Sequence, residues 1–160
     1  MMNSENFFDL IEGNQLNAVK DLIASGFEIS RPNKFGYSPL HICCARNLDK
    51  MAELLINSAI DVNLQDKDGL TALHYVATYG QQHLAELLLK NRANFAIADK
   101  YGNQPLWTAT FNDKGRGDRF DMVKLFLDYG ADPNHKNNVN KSPKDIILIA
   151  GYKNLEKLFF

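Results

Sequence analysis

The sequence has few cysteines, no excess of either charge and no long apolar run. Its 160 residues contain 18 Lys and Arg against 19 Asp and Glu, so no global positive field exists to attract nucleic acid or anionic lipid. The longest apolar runs, such as residues 146–150, fall far short of the roughly 20 residues that span a bilayer. Residues 1–9 lack the basic and apolar stretches of a secretory signal. These absences predict a cytoplasmic protein that binds neither nucleic acid nor membrane.

The two cysteines, Cys43 and Cys44, are neighbours in the chain. A structural disulfide normally joins positions that are separated in sequence, because it closes a loop between them. We therefore expect both thiols to be free and the protein to reside in a reducing compartment.

Three segments of the chain repeat in register at a spacing of 33 residues. They begin at Asn33, Asp66 and Asp99, and they read NKFGYSPLH, DKDGLTALH and DKYGNQPLW. Each is followed by a short apolar pattern, at 51–56, 84–89 and 122–127, and then by a closing marker, at 59–63, 92–96 and 130–134. Each unit is therefore predicted to contain a turn, a helix, a second turn and a second helix.

The residue types at each turn agree with this prediction. Glycine occupies the tip, where a positive φ is tolerated easily only without a Cβ: Gly36, Gly69 and Gly102. Ser38 and Thr71 can cap the first helices with their hydroxyls, and Pro39 and Pro105 fall in the first helical turn, where an N–H is not needed. Helices this short are not stable alone, so their leucines must be buried against neighbouring units.

These segments resemble ankyrin repeats, whose pattern runs D-x-x-G-x-T-P-L-H-x-A, then an apolar second helix and G-A-D-x-N. The resemblance covers almost the whole chain and implies an all-α solenoid of helix-turn-helix units joined by β-hairpin-like loops. We predict a single domain over 1–160, with three full repeats and two capping units. Its parts are an N-terminal capping unit at 1–32, repeats at 33–65, 66–98 and 99–136, and a C-terminal capping unit at 137–160.

The third repeat carries five extra residues, because Gly102 and Ala131 are 29 positions apart whereas Gly69 and Ala93 are 24 positions apart. The excess falls between its two helices, near 112–119, in a charged and glycine-rich stretch. We expect a mobile, exposed excursion, which either contacts a partner specifically or is a tolerated loop without a role.

Three positions depart from the repeat pattern. Trp107 replaces the histidine of the first two repeats, and Ala59 and Arg92 replace the usual glycine after a second helix. A residue other than glycine that is forced into the left-handed region there costs about 1 kcal/mol, which a stacked core can absorb.

The chain offers no convincing set of catalytic or metal-binding residues. The resemblance implies that His41 and His74 bond backbone groups of adjacent hairpins, and that Cys43 and Cys44 fill positions where the family commonly has small alanines. His41 and Cys44 lie at i and i+3 of one helical face, which supplies two metal ligands but not a site. We therefore predict a non-enzymatic protein without a cofactor, and we keep a metal-dependent enzyme built on His41 and Cys44 as the alternative from another class.

The resemblance also implies that hairpin tips and first helices form a concave face that binds a protein partner. Aromatic and basic side chains recur along the positions that map to this face, and such residues commonly anchor interfaces. The candidate partner-binding residues are Phe35, Tyr37, Arg46, Lys67, Asp68, Leu70, Tyr75, Tyr79, Lys100, Tyr101, Asn103, Phe111, Asn112 and, within the insertion, Arg116.

The expected function is therefore stoichiometric binding of a protein partner by a chain that is monomeric on its own. Short ankyrin proteins of this kind resemble bacterial inhibitors or immunity-type proteins, and they also resemble adaptors or effectors that act on host factors. The first reading is favoured because the sequence contains no second domain for an adaptor to recruit. An architectural homo-oligomer is a third possibility.

Overall fold

Each repeat folds as a pair of short, packed helices. The computed structural model describes residues 4–160, and within that range the chain forms ten helices and no β-strand. The helices are α1 Ser4–Glu12, α2 Leu16–Ala24, α3 Pro39–Arg46, α4 Asp49–Asn57, α5 Ala72–Tyr79, α6 Gln82–Lys90, α7 Pro105–Asp113, α8 Phe120–Asp128, α9 Pro143–Ala150 and α10 Lys153–Phe159. The predicted all-α repeat architecture is confirmed.

The helices stack in two rows. The first helix of each pair packs on the first helices of its neighbours, in the order α1, α3, α5, α7, α9, and the second helices stack as α2, α4, α6, α8, α10. One continuous core runs between the rows, and equivalent leucines from successive units, Leu40, Leu73 and Leu106, are each only 1% exposed. Since no helix described within residues 4–160 exceeds nine residues, this packing between units must stabilise the helices.

The first helices begin where the sequence indicates. Helices α3 and α7 start at Pro39 and Pro105, and the backbone N–H of His41 donates to Ser38 Oγ over 3.4 Å. Helix α9 begins in the same manner, because Ser142 Oγ accepts the N–H of Asp145 over 3.2 Å. The hydroxyl of the residue before the helix therefore satisfies a backbone donor that the first turn leaves unpaired.

Four hairpin-like turns precede α3, α5, α7 and α9, and each begins with Asn or Asp. The side chain of that first residue accepts the N–H groups two and four positions further on, as in the 2.9 Å bonds from Asp68 and Leu70 to Asp66 Oδ1. The same pair of bonds recurs at Asn33, Asp99 and Asn137. One side chain thus fixes each turn.

Two of the tips require glycine, because their φ is positive and because the backbone of the next unit lies close to them. Gly69 and Gly102 have φ of 78° and 80°, and a Cβ at Gly102 would lie 2.9 Å from the backbone nitrogen of Asn138. The fourth tip uses Asn140 instead, at φ 58°, which is a conformation that asparagine tolerates.

The ends of the second helices confirm the strained positions named from the sequence. Ala59 and Arg92 adopt φ of 61° and 66°, where the equivalent Gly26 and Gly130 have 82° and 90°. At each of these two helix ends a non-glycine residue therefore occupies the left-handed region.

The insertion of the third repeat corrects part of one expectation. We expected a mobile, exposed excursion, and residues 114–116 and 118 are exposed. Asp113 at the end of α7, however, is 0% exposed and accepts hydrogen bonds from backbone N–H groups of the segment that follows. Arg119, the last residue before α8, is also largely covered, with 17% of its side chain exposed. The segment between α7 and α8 is therefore folded onto the stack at both ends.

None of the helices described within residues 4–160 is both long enough and apolar enough to cross a membrane.

Candidate functional site

The tips of successive hairpins lie side by side and are bonded to one another. The backbone N–H of Lys100 donates to Asp68 O, and that of Asn138 donates to Tyr101 O, each over 2.9 Å. Lys67 Nζ reaches back to the carbonyl oxygen of Lys34 over 3.2 Å. The tips therefore form one ridge along the solenoid, and we call it the tip ridge (residues 33–37, 66–70, 99–103 and 137–141).

Two of the exposed aromatic rings of the tip ridge, Phe35 and Tyr101, each lie beneath a lysine. Phe35 is 57% exposed and Tyr101 is 60% exposed. The ammonium groups of Lys34 and Lys100 lie 5.3 Å and 5.0 Å from the centroids of these rings, within the range of a cation–π contact. Lys100 Nζ also donates to Asp68 Oδ1 over 2.7 Å, and this bond raises the pKa of Lys100. The ridge thus combines large apolar surface with fixed positive charge.

Tyr37 of the tip ridge begins a row of rings that continues along the first helices of repeats 1 and 2. The centroids of Tyr37 and His41 are 6.5 Å apart, those of His41 and Tyr75 are 5.1 Å apart, and those of Tyr75 and Tyr79 are 6.4 Å apart. Tyr37 and Tyr79 are exposed, whereas Tyr75 is half-buried. The Tyr75 hydroxyl donates to Asp66 Oδ2 over 2.9 Å, and burial, together with this bond, raises the pKa of Tyr75. Tyr75 therefore stabilises the row of rings and exposes less surface to a partner than Tyr37 or Tyr79 does.

Repeat 3 adds a stacked pair of aromatic rings to the same face of the solenoid. The rings of Trp107 and Phe111 are nearly parallel, with centroids 4.9 Å apart, and Phe111 is exposed. Asn112 is half-buried, and its amide donates to the carbonyl oxygen of Thr108 over 2.9 Å. Trp107 Nε1 is buried without an acceptor among the described residues, whereas the histidines at the equivalent positions are bonded.

Asn103 was expected to contact a partner, but it is only 8% exposed. Its amide nitrogen donates to Asp99 Oδ2 over 3.2 Å, and its amide oxygen accepts from Asn137 Nδ2 of the next unit over 2.8 Å. Because these bonds occupy both ends of the amide, Asn103 ties two turns together and offers little surface for binding. Leu70, at the equivalent position of repeat 2, is half-buried.

Both arginine candidates, like Lys100, are paired with carboxylates. Arg46, at the end of α3, donates to Glu12 of the N-terminal unit. Arg116 pairs with Asp118 within the insertion, at 3.0 Å. Arg116 follows the last residue of α7, whereas the tip at 99–103 precedes the first residue of that helix. The length of the helix, about 13 Å, therefore separates Arg116 from the tip ridge. Arg116 does not lie on the ridge with Lys67, Lys100 and Tyr101.

His41 and His74 bond the turn of the following repeat, as the resemblance implies. Nδ1 of each ring accepts the N–H of the residue before its helix, and Nε2 lies 3.0 Å from a carbonyl oxygen, Leu70 O for His41 and Asn103 O for His74. These partners assign the proton to Nε2 in each neutral ring, because a carbonyl oxygen can only accept. Burial lowers the pKa of both imidazoles.

The alternative metal pair is not assembled by this geometry. Both nitrogens of His41 are engaged in hydrogen bonds, and Cys44 is 1% exposed. Burial raises the pKa of the Cys43 thiol to about 12 and raises that of Cys44 well above its usual value, which disfavours the thiolate in the metal-free protein. Residues 4–160 contain no group of three or more His, Cys, Asp or Glu side chains placed to hold a metal ion.

One exposed residue of the ridge was missed from the sequence. Val139, at the tip of the fourth turn, is 72% exposed and stands where the first and third turns carry Phe35 and Tyr101. The signal was the segment NNVNKSP at 137–143, which keeps the first Asn and the Ser-Pro of NKFGYSP at 33–39 but carries Asn140 in place of the glycine. Val139 extends the apolar side of the ridge to the last unit.

The comparisons with known proteins agree with this architecture. A family model described as ankyrin repeats (3 copies) matches residues 8–95 and, in an overlapping match, residues 47–137. A search of curated proteins found no match to this chain.

Proposed function

Because the chain belongs to the ankyrin-repeat family, whose members are generally protein–protein interaction modules, we propose that it binds a protein partner through the concave face formed by its tip ridge and first helices. The single observation that carries this proposal is the row of exposed rings on that face. Its members are Phe35, Tyr37, Tyr79, Tyr101 and Phe111.

The chemistry of these residues suits an interface anchor. An aromatic ring contributes a large buried area at the cost of few rotatable bonds, and tyrosine adds a polar tip. The repeats that carry the rings are packed between neighbouring units on both sides, so little order has to be gained on binding. Tyr79 and Tyr101 are the strongest candidates, because their rings are more than half exposed and stand on different repeats.

A more specific form of this proposal is that binding occludes a functional surface of the partner. The protein would then be a stoichiometric inhibitor of the immunity type. An adaptor or effector role is the alternative, and the partner's activity in the complex distinguishes the two. An inhibitor abolishes that activity at a 1:1 ratio, whereas an adaptor leaves it intact.

The free, buried pair Cys43 and Cys44 favours a reducing, cytoplasmic location. The chain alone is expected to be monomeric by light scattering.

The test compares capture of proteins from the native source by matched variants. Tyr79→Ala combined with Tyr101→Ala should reduce the affinity for the captured partner about 30-fold, if each anchor is worth about 1 kcal/mol. Tyr129→Ala is the matched control, since Tyr129 is also exposed but follows α8 in the other row of helices. Circular dichroism checks that all variants are folded.

A partner that is lost from the double variant and kept by Tyr129→Ala supports the proposal. Equal capture by both variants would place the binding site elsewhere on the molecule. A bound transition metal in the purified protein would revive the alternative based on His41 and Cys44.

A further inference from the structure

The insertion of repeat 3 is organised around one buried carboxylate. Asp113 Oδ1 accepts the backbone N–H of Arg119 over 2.9 Å, and Oδ2 accepts that of Gly117 over 3.1 Å. These two bonds close the loop between α7 and α8. Because Asp113 is 0% exposed, they also compensate for the removal of its charge from water.

The same carboxylate reaches the C-terminal unit. Asn154 Nδ2, in α10, donates to Asp113 Oδ2 over 2.8 Å. Beside this bond the backbone of the insertion lies close to Tyr152, since a Cβ added to Gly115 would lie 3.2 Å from the Cδ1 atom of that ring. The insertion therefore contacts the unit that follows repeat 3 through a hydrogen bond to a carboxylate and through an aromatic ring.

The other end of the insertion reaches the unit that precedes repeat 3. Arg119 Nη2 donates over 3.2 Å to the carbonyl oxygen of Thr78, in the last turn of α5, and a cation near a helix C-terminus is favourable. The guanidinium lies directly over Gly80, where an added Cβ would lie 2.6 Å from Nη1. A side chain at position 80 would displace Arg119 from this position.

These contacts matter because a repeat in a solenoid is stabilised by its immediate neighbours, and the insertion gives repeat 3 an additional attachment to both of them. The C-terminal unit has a small core of its own: within 143–159 the buried hydrophobic side chains are Ile147 and Leu155. Helices α5 and α6 of repeat 2, by contrast, bury Ala72, Leu73, Val76, Ala77, Leu84, Ala85, Leu88 and Leu89. The last unit therefore has the greater need of an additional attachment.

We propose that the insertion is a clamp, in which Asp113 holds the C-terminal unit onto repeat 3 while Arg119 ties the same segment to repeat 2. Its role is to hold three successive units in a fixed arrangement, and it does not serve as a partner-binding loop. The exposed side chains of the insertion, such as Arg116, are not part of the clamp.

Native-state hydrogen exchange on the whole chain, read by mass spectrometry, tests the clamp. In Asp113→Asn one carboxylate oxygen becomes an amide group that cannot accept a bond, so peptides of α9 and α10 should exchange about tenfold faster. Peptides of α3 and α4 should exchange at the wild-type rate. Arg116→Ala is the matched control within the same insertion, and it should leave exchange in α9 and α10 unchanged.

A second variant keeps the test decisive if Asp113→Asn does not fold. Asn154→Ala removes only the bond that crosses to α10, and it should accelerate the same α9 and α10 peptides. When both substitutions are combined, the effect should be smaller than the product of the single effects, because they break one shared bond. Exchange that rises equally in every helix, wild-type exchange in both single variants, or the same acceleration in Arg116→Ala would each overturn the proposal.

Discussion

The Nε2 atom of His74 lies 3.0 Å from the carbonyl oxygen of Asn103, at the turn of the following repeat. His41 makes the equivalent contact with Leu70 O, also at 3.0 Å. Repeat 3 lacks this histidine contact, because Trp107 replaces the histidine. The last two turns are connected by hydrogen bonds of His135 and Asn137 instead. Each turn is thus tied to the next by at least one buried or half-buried side chain.

The buried histidines predict a loss of stability on acidification. Burial lowers the pKa of His41 and His74 from 6.5, so between that value and the folded pKa the unfolded chain binds more protons than the folded chain. The contribution of the two neutral histidines to the free energy of unfolding is therefore complete above pH 6.5. It is lost as the pH falls below that value, by at most about 1.4 kcal/mol per pH unit for each ring. Thermal unfolding between pH 7.5 and pH 5 measures this slope. His74→Gln should be less stable at pH 7.5 but should show a shallower slope, and a slope as steep as that of the wild type would contradict the prediction.

Stacking between units predicts very different costs for two leucine truncations. Leu73 is 1% exposed between repeats 1 and 3, so Leu73→Ala should lower the free energy of unfolding by about 2–5 kcal/mol. Leu148, on the last unit, is 58% exposed, and Leu148→Ala should cost less than about 0.5 kcal/mol. Urea unfolding of the two variants measures the difference. Similar costs at both positions would be incompatible with this core.

Relief of backbone strain predicts a stabilising substitution at the end of α6. Arg92 has a φ of 66°, so Arg92→Gly should raise the free energy of unfolding by about 1 kcal/mol. The reverse change at the equivalent position, Gly130→Ala, should lower it by about the same amount. No atom lies within 4 Å of a Cβ at Gly130, so this cost reports the backbone alone. Urea midpoints check both changes, and a neutral or destabilising Arg92→Gly would show that the arginine side chain contributes more than its strain.

Burial of the two thiols predicts resistance to alkylation in the native state. The thiolate is the reactive form, and burial raises the pKa of Cys43 to about 12 and that of Cys44 well above its usual value. Native protein at pH 8 should therefore react with iodoacetamide only as fast as it opens, and both thiols should react in denaturant. Ala45→Cys introduces a thiol at an exposed neighbouring position and should react at once. Rapid labelling of Cys44 in the folded wild type would count against its placement in the core.

The fold was predictable because its signals are local. The hairpin glycines and the helix-starting residues each act within a single unit, and the 33-residue period repeats them from one unit to the next. Helices α3, α5 and α7 begin at these signals. The strained residues Ala59 and Arg92 were recognisable for the same reason, since position in the repeat determines their φ.

The details of the face were less predictable because they depend on neighbouring units. Asn103 occupies a tip position, but its amide is bonded to Asn137, which lies 34 residues further along the chain. Asp113 stands in a polar, glycine-rich segment that is typical of exposed loops, and its partner Asn154 is 41 residues away. Val139 was missed because Asn140 takes the left-handed position in place of glycine.

A hydrogen-exchange footprint of the protein in complex with its captured partner tests binding through the concave face most directly. Binding there should slow exchange in peptides that cover the tip ridge at 33–37, 66–70 and 99–103, together with α3, α5 and α7. Peptides of α4, α6 and α8 should exchange as in the free protein. Protection confined to α4, α6 and α8, with the tip ridge unchanged, would contradict binding through the concave face.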